Sequence, residues 1–180
     1  MKTDRHQEAL TESQALLYST KRTNVDHIIV SLDLLAKAYS KKCDPTNEMR
    51  CLSTIIQLNH SFLPDLWIRI GKSYHCLYEK MNKDILENIS ETFLQFSLKP
   101  NLVICCCYIR ALVLLTTVER TVMSFAYRAN ETAQNYLKAE VEKISTKNKV
   151  SQEVLDHIKF EMTKDIFNRY NASNFTTQGK

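Results

Sequence analysis

Glycine is nearly missing from this 180-residue chain, which holds only Gly71 and Gly179. Hairpin turns, phosphate-cradling loops and dinucleotide folds need glycine where φ is positive or where backbone must approach a ligand closely, so the shortage argues against all three. Proline is almost as scarce: Pro45 and Pro64 stand where helices could open, and Pro100 where one could stop. The six cysteines, Cys43, Cys51, Cys76, Cys105, Cys106 and Cys107, contain no CxxC pair. Three in a row make a poor disulfide or zinc framework. The residues after Met1 lack the apolar core of a signal peptide. Reduced cysteines without an export signal predict an intracellular protein of the cytoplasm or nucleus. The five N-glycosylation triplets, beginning at Asn59, Asn88, Asn130, Asn171 and Asn174, then read as chance.

Catalytic signatures are missing as well. His6, His27, His60, His75 and His157 never form H-x-x-x-H, and neither a nucleophile elbow nor a Walker loop occurs. His75 beside Cys76 is the nearest approach to a ligand pair, and surface packing is the better reading of it. Cysteine nucleophiles want an electropositive, accessible setting, whereas Cys105–Cys107 sit in an apolar run. The expectation is a protein that is not an enzyme, with no catalytic residues, no cofactor and no metal.

No block of one charge sign occurs either. Twenty-four Lys and Arg against twenty Asp and Glu leave a net charge of +4, mixed throughout. The densest basic stretch, Lys143, Lys147 and Lys149, reads as a solvated loop. Nucleic acid is therefore not an expected partner; an RNA-binding helical repeat would want a continuous basic stripe with stacking aromatics. The longest apolar run, 102–115, is shorter than the ~20 residues of a membrane span and contains Arg110, so no membrane association is expected.

What the chain does have is helical periodicity. Hydrophobic residues at 44% and charged residues at 24% suit a globular domain. A first helix over 5–19 carries Ala9, Leu10, Ser13 and Leu17 on one face. Thr23 with Asp26 resembles a capping pair for a second, whose Val25, Ile28, Ile29, Leu32, Leu35, Ala36 and Tyr39 repeat at threes and fours to about Lys42. Asp44-Pro45 reads as an N-cap and first helical residue, with Met49, Leu52, Ile55 and Ile56 following to about Leu58. Pro64 opens a fourth helix with Leu66, Trp67, Ile70, Tyr74 and Leu77 inward. Asn82 starts a fifth with Ile85, Ile89, Phe93 and Phe96, stopped by Pro100.

The next helix, 102–115, is apolar all round and should be central. Thr116-Thr117-Val118 is expected to bend or break the chain. Another helix follows with Val118, Val122, Phe125, Ala126, Ala129, Ala133, Tyr136, Leu137, Val141 and Ile144 on one side. A linker over 145–150 leads to Ser151, which caps a last helix with Val154, Leu155, Ile158, Met162 and Ile166. The tail should fray from Asn171. This divides the chain into helix pairs over 1–99, a C-terminal bundle or cap over 100–170, and a flexible tail over 171–180.

The pair-like organisation has an internal echo. Trp67, Ile70, Gly71 and Tyr74 match W-x-x-L-G-x-x-Y with one conservative change, and Pro64 precedes the tryptophan by three. Leu32, Leu35, Ala36 and Tyr39 carry the same spacing 35 residues earlier, close to the ~34 of the tetratricopeptide repeat. The chain thus resembles that family in its first helices and less well in its second ones, where Glu48 and Lys83 occupy positions usually small. The resemblance implies an all-α, TPR-like helical repeat (an α-solenoid) with longer C-terminal helices. Its large residues would fill the seam within each pair, and Ala36 or Gly71 would let backbones approach. Residues 5–10 resemble a second helix without its first, which would leave Leu10 and Leu17 exposed.

A second resemblance comes from Arg5-His6-x-Glu8-Ala9-Leu10, Asn24-Val25-Asp26-His27, the Pro64–Tyr74 segment and Ser124-Phe125-Ala126. Read together they are similar to the middle and C-terminal parts of an animal family named after open reading frame seventy-six of human chromosome eight. That resemblance implies a TPR-like helical protein and carries over no catalytic residue.

In tetratricopeptide arrays the first helices line a groove that takes an extended or helical peptide. The repeat register would turn Asp33, Lys37, Ile68, Arg69 and Lys72 toward such a groove, and its cations would favour an acidic peptide or a free C-terminus. The asparagine used by carboxylate clamps of that family is absent at the position of Lys37. The expected function is a scaffold or adaptor that binds protein. Its alternatives are an obligate homo- or hetero-oligomeric subunit and, more remotely, an RNA-associated repeat.

Overall fold

The computed structural model describes residues 2–21, 23–60, 63–88, 100–118 and 126–177. All regular structure among them is helical: α1 (Lys2–Ser19), α2 (Val25–Lys41), α3 (Pro45–Ile55), α4 (Pro64–Asn88), α5 (Pro100–Val118), α6 (Ala126–Asn148) and α7 (Gln152–Thr177). A π-helical turn, Ile56–His60, prolongs α3. The chain forms two compact units, one of Met1–Ser61 with Lys72–Ser97 and the other of Phe62–Gly71 with Leu98–Lys180.

In the first unit α2 packs on both α1 and α3. Three contacts fix the direction of the α1–α2 pair. The Thr20 and Ser31 hydroxyls lie 3.3 Å apart, Gln14 Nε2 donates to the Tyr39 hydroxyl at 3.2 Å, and Lys42 Nζ donates to Gln7 Oε1 at 3.3 Å. One number falls as the other rises, so the helices are antiparallel. The stripe read from the sequence is the buried one: Leu32, Leu35 and Ala36 are inside, as are Cys51, Leu52 and Ile55 of α3. Asp44 caps α3 by accepting from the Asn47 N–H at 3.2 Å, with Pro45 at the first helical position, where no N–H is needed.

In the second unit α5 is the centre, packed by both α6 and α7. Ile104, Cys105, Cys107, Tyr108, Ile109, Ala111, Val113 and Leu114 are all buried, as its all-round apolar sequence demands. Asn101 donates to Asn148 at one end of the α5–α6 pair, and Asn130 Nδ2 donates to the Leu115 carbonyl at the other, so these helices are also antiparallel. Leu137 and Ile144 of α6 and Leu155 and Ile166 of α7 complete the core.

Scarce glycine leaves a mark on the helix ends. Cys43 after α2 and Lys149 after α6 both adopt positive φ, at 58° and 52°. That conformation lets the next N–H return to the last turn: Asp44 N to Tyr39 O at 3.0 Å, and Val150 N to Ser145 O at 3.0 Å. Glycine would adopt it without the ~1 kcal/mol or more that a Cβ costs there. Lys80 Nζ donates to the Cys43 carbonyl at 2.7 Å and helps hold the first of these corners.

Several expectations change. Asn24, not Thr23, caps α2, accepting from the His27 N–H at 3.1 Å. The helix from Pro64 continues through Asn82 to Asn88, since no glycine or proline follows Gly71 within that stretch. Ile89, Phe93 and Phe96 lie outside the described residues, as do Val122, Phe125 and residues 119–125 generally. The Thr116–Val118 stretch stays helical to the end of α5, its two threonine hydroxyls bonding back to the Val113 carbonyl. The expected linker at 145–150 is mostly the last turn of α6, which ends at Asn148. Helix α7 passes Asn171 and runs to Thr177, again with no glycine or proline to stop it. Leu10 is buried at 5% exposure and Leu17 is half-buried, so α2 covers the face expected to be bare. Val25, Ala129, Tyr136 and Val154, expected inward, are exposed.

Candidate functional site

Helix α2 is covered along the side that meets α1 and α3, and its opposite side is open. Asp26, His27, Val30, Leu34, Lys37 and Lys41 recur there at threes and fours, which makes them one outward stripe. Two aliphatic side chains on such a stripe are the uncommon feature: Val30 is 56% exposed and Leu34 42%. Beside them Lys37 Nζ meets Asp33 Oδ2 at 2.6 Å. This one-turn pair is in water and contributes only ~0.3–0.5 kcal/mol. Its effect is to hold a charged edge next to an apolar patch.

The five groove residues are distributed over the two units as follows. Asp33 and Lys37 share the α2 stripe in the first unit, to which Lys72 also belongs; Ile68 and Arg69 belong to the second. Lys37 and Lys72 are exposed, whereas Asp33, Ile68 and Arg69 are half-buried. Of the repeat signature, Leu32, Leu35, Ala36, Ile70 and Gly71 are buried, and Tyr39, Trp67 and Tyr74 are half-buried.

Gly71 does admit a close neighbour, but the neighbour is a ring rather than a backbone. A Cβ there would stand 2.8 Å from Tyr108 Cδ1 and 3.2 Å from Cζ. Tyr108 is itself 1% exposed and its hydroxyl is pushed well above the ordinary tyrosine range by burial, with Tyr136 and Glu140 adding to the effect.

Two residues further along α5, Arg110 forms the assembly that sequence reasoning missed. It is 7% exposed, yet its Nη2 reaches Asp165 Oδ2 of α7 at 2.7 Å and its Nη1 approaches the Met162 sulfur at 3.4 Å. Its guanidinium carbon lies 4.7 Å from the Trp67 ring centre, within cation–π range. Three helices thus share one buried charge. The available signal was the lone cation in an apolar helix, which must have a partner somewhere.

The triple cysteine has the chemistry of a core. Burial pushes the Cys105 thiol up to about 11 and the Cys107 thiol up to about 12, and burial raises Cys106 as well. Thiolates are therefore rare at neutral pH. Among the described residues no group of three or more His, Cys, Asp and Glu is placed to hold a metal ion. No described helix is long and apolar enough to cross a membrane.

No family model, curated protein or solved structure matches the chain. The α2 stripe and the Arg110 assembly therefore stand on their own geometry. Only the stripe presents side chains outward; the Arg110 assembly spends its charge inside.

Proposed function

We propose that this chain is a TPR-like scaffold or adaptor that docks a protein partner on the outward face of α2. The observation that carries the reading is the exposed Val30–Leu34 pair flanked by the Asp33–Lys37 ion pair. Binding surfaces combine an apolar centre with a polar rim in this way, and a helix laid in antiparallel or crossing fashion could cover it. The exposed Lys37 and Lys41 favour acidic residues in the partner segment, or a free C-terminus. The internal spacing of Leu32–Tyr39 and Trp67–Tyr74 supports the repeat reading, as does the antiparallel α1–α2 pair. The likeness to the chromosome-eight family adds a TPR-like expectation without an activity.

Affinity capture from a lysate tests the proposal when wild type is compared with Leu34→Asp and Lys37→Glu. Both substitutions lie on exposed positions, so the melting temperature should stay within a few degrees. A principal partner lost from both variants supports docking on α2. Retention by both places recognition elsewhere.

A further inference from the structure

Helix α7 also presents an outward stripe, acidic at its N-terminal end and basic at its C-terminal end. Leu155, Ile158, Met162, Asp165 and Ile166 define its inner side, buried or half-buried. The opposite side carries Glu153, His157, Phe160 and Lys164, at spacings of four, three and four, and all four are exposed. Phe160 is 63% exposed, more than any exposed leucine or valine described. Among the described residues neither Glu153 nor Lys164 has an ion-pair partner in its own chain. Asp156, on the flank, is engaged with Gln152 at 3.0 Å.

We propose that this stripe pairs with the same stripe of a second copy of the chain, α7 against α7, antiparallel. A two-fold axis crossing between Ile158 and Lys159 carries position 153 onto 164 and position 157 onto 160. Each Glu153 then faces the partner copy's lysine at the same register, and each Phe160 faces an imidazole. Both ends of the stripe gain opposite charges from one operation, which is the self-complementarity an isologous contact requires. A parallel pairing would set glutamate on glutamate and lysine on lysine. The stripe spans three turns, ~17 Å, so the buried area falls below that of a standard stable interface and the dimer is a weak one. The inference does not depend on the α2 docking reading, which concerns the other unit.

Sedimentation velocity on the purified chain, from micromolar to millimolar concentration, tests it. The expected result is a concentration-dependent monomer–dimer equilibrium. Phe160→Glu should weaken it by roughly tenfold or more, because the aromatic centre is replaced by like charges across the axis. Lys164→Glu alone should weaken it by roughly fivefold, and adding Glu153→Lys should restore it, since the swap re-forms both pairs. Melting temperatures report that each exposed substitution leaves the fold intact. A chain monomeric throughout overturns the proposal. So does a dimer indifferent to Phe160→Glu, or a charge swap that fails to restore association.

Discussion

Replacing Gly71 by alanine ordinarily helps a helix interior, by about 1 kcal/mol. Here the new methyl would lie 2.8 Å from Tyr108 Cδ1 and 3.2 Å from Cζ, well inside the ~3.5–4.0 Å of ordinary carbon contact. The ring cannot swing into water, because Tyr108 is 1% exposed at the centre of the second unit. Overpacking of this kind costs about 1–3 kcal/mol, and a trapped ring puts it at the upper end. About 3 lost against about 1 gained leaves a net destabilisation of about 2 kcal/mol, or roughly 4–8 °C in melting temperature at this chain length. Thermal and urea melts of Gly71→Ala, Tyr108→Leu and the double variant form the assay. Tyr108→Leu withdraws the ring, so in that background Gly71→Ala should become neutral or stabilising by up to about 1 kcal/mol. If Gly71→Ala stabilises the wild-type chain, or costs the same in both backgrounds, Tyr108 is not what requires glycine there.

Arg110→Ala should cost about 2–4 kcal/mol in chemical denaturation, since it removes a buried side chain together with its contacts to the Asp165 carboxylate and the Trp67 ring. Arg110→Met combined with Asp165→Leu should fall within about 1 kcal/mol of wild type; a large loss in that pair would mean the charge contributes beyond its own satisfaction. With a thiol reagent at mildly alkaline pH, exposed Cys43 should react first and Cys105 and Cys107 only on unfolding. The same two thiols keep their protons in the folded state above the ordinary value of 9.0. The stability this contributes is complete below that pH and is lost as pH rises toward about 11 for Cys105 and about 12 for Cys107. A melting temperature that rises over that range would contradict the sign.

Much of the fold was legible locally. The threes-and-fours stripe of α2 is its buried face, Asp44-Pro45 begins α3, and the all-round apolar α5 is the centre of its unit. The rest divides into two physical kinds. Polar clusters at Asn82 and 145–150 do not end their helices, because without a glycine or proline there a helix already paid for in nucleation keeps going. Tertiary partners were invisible because their sequence separation is large: Arg110 meets Trp67 and Asp165, and Gly71 meets Tyr108. A periodicity gives the inward side of a helix and says nothing of what lies across from it. The candidate docking face shows the same divide. Asp33 and Lys37 could be named from the repeat register, whereas the exposure of Val30 and Leu34 follows from where α1 and α3 leave α2 uncovered.

Site-specific photo-cross-linking tests that docking claim most directly, with a benzophenone side chain placed in turn at Leu34 on α2, Thr54 on α3 and Tyr136 on α6, all three exposed. The account predicts a discrete adduct with one partner protein from position 34, suppressed by Lys37→Glu, and none from position 54 or 136. Adducts concentrated at position 136, with nothing captured at 34, would contradict it and move recognition to the C-terminal helices.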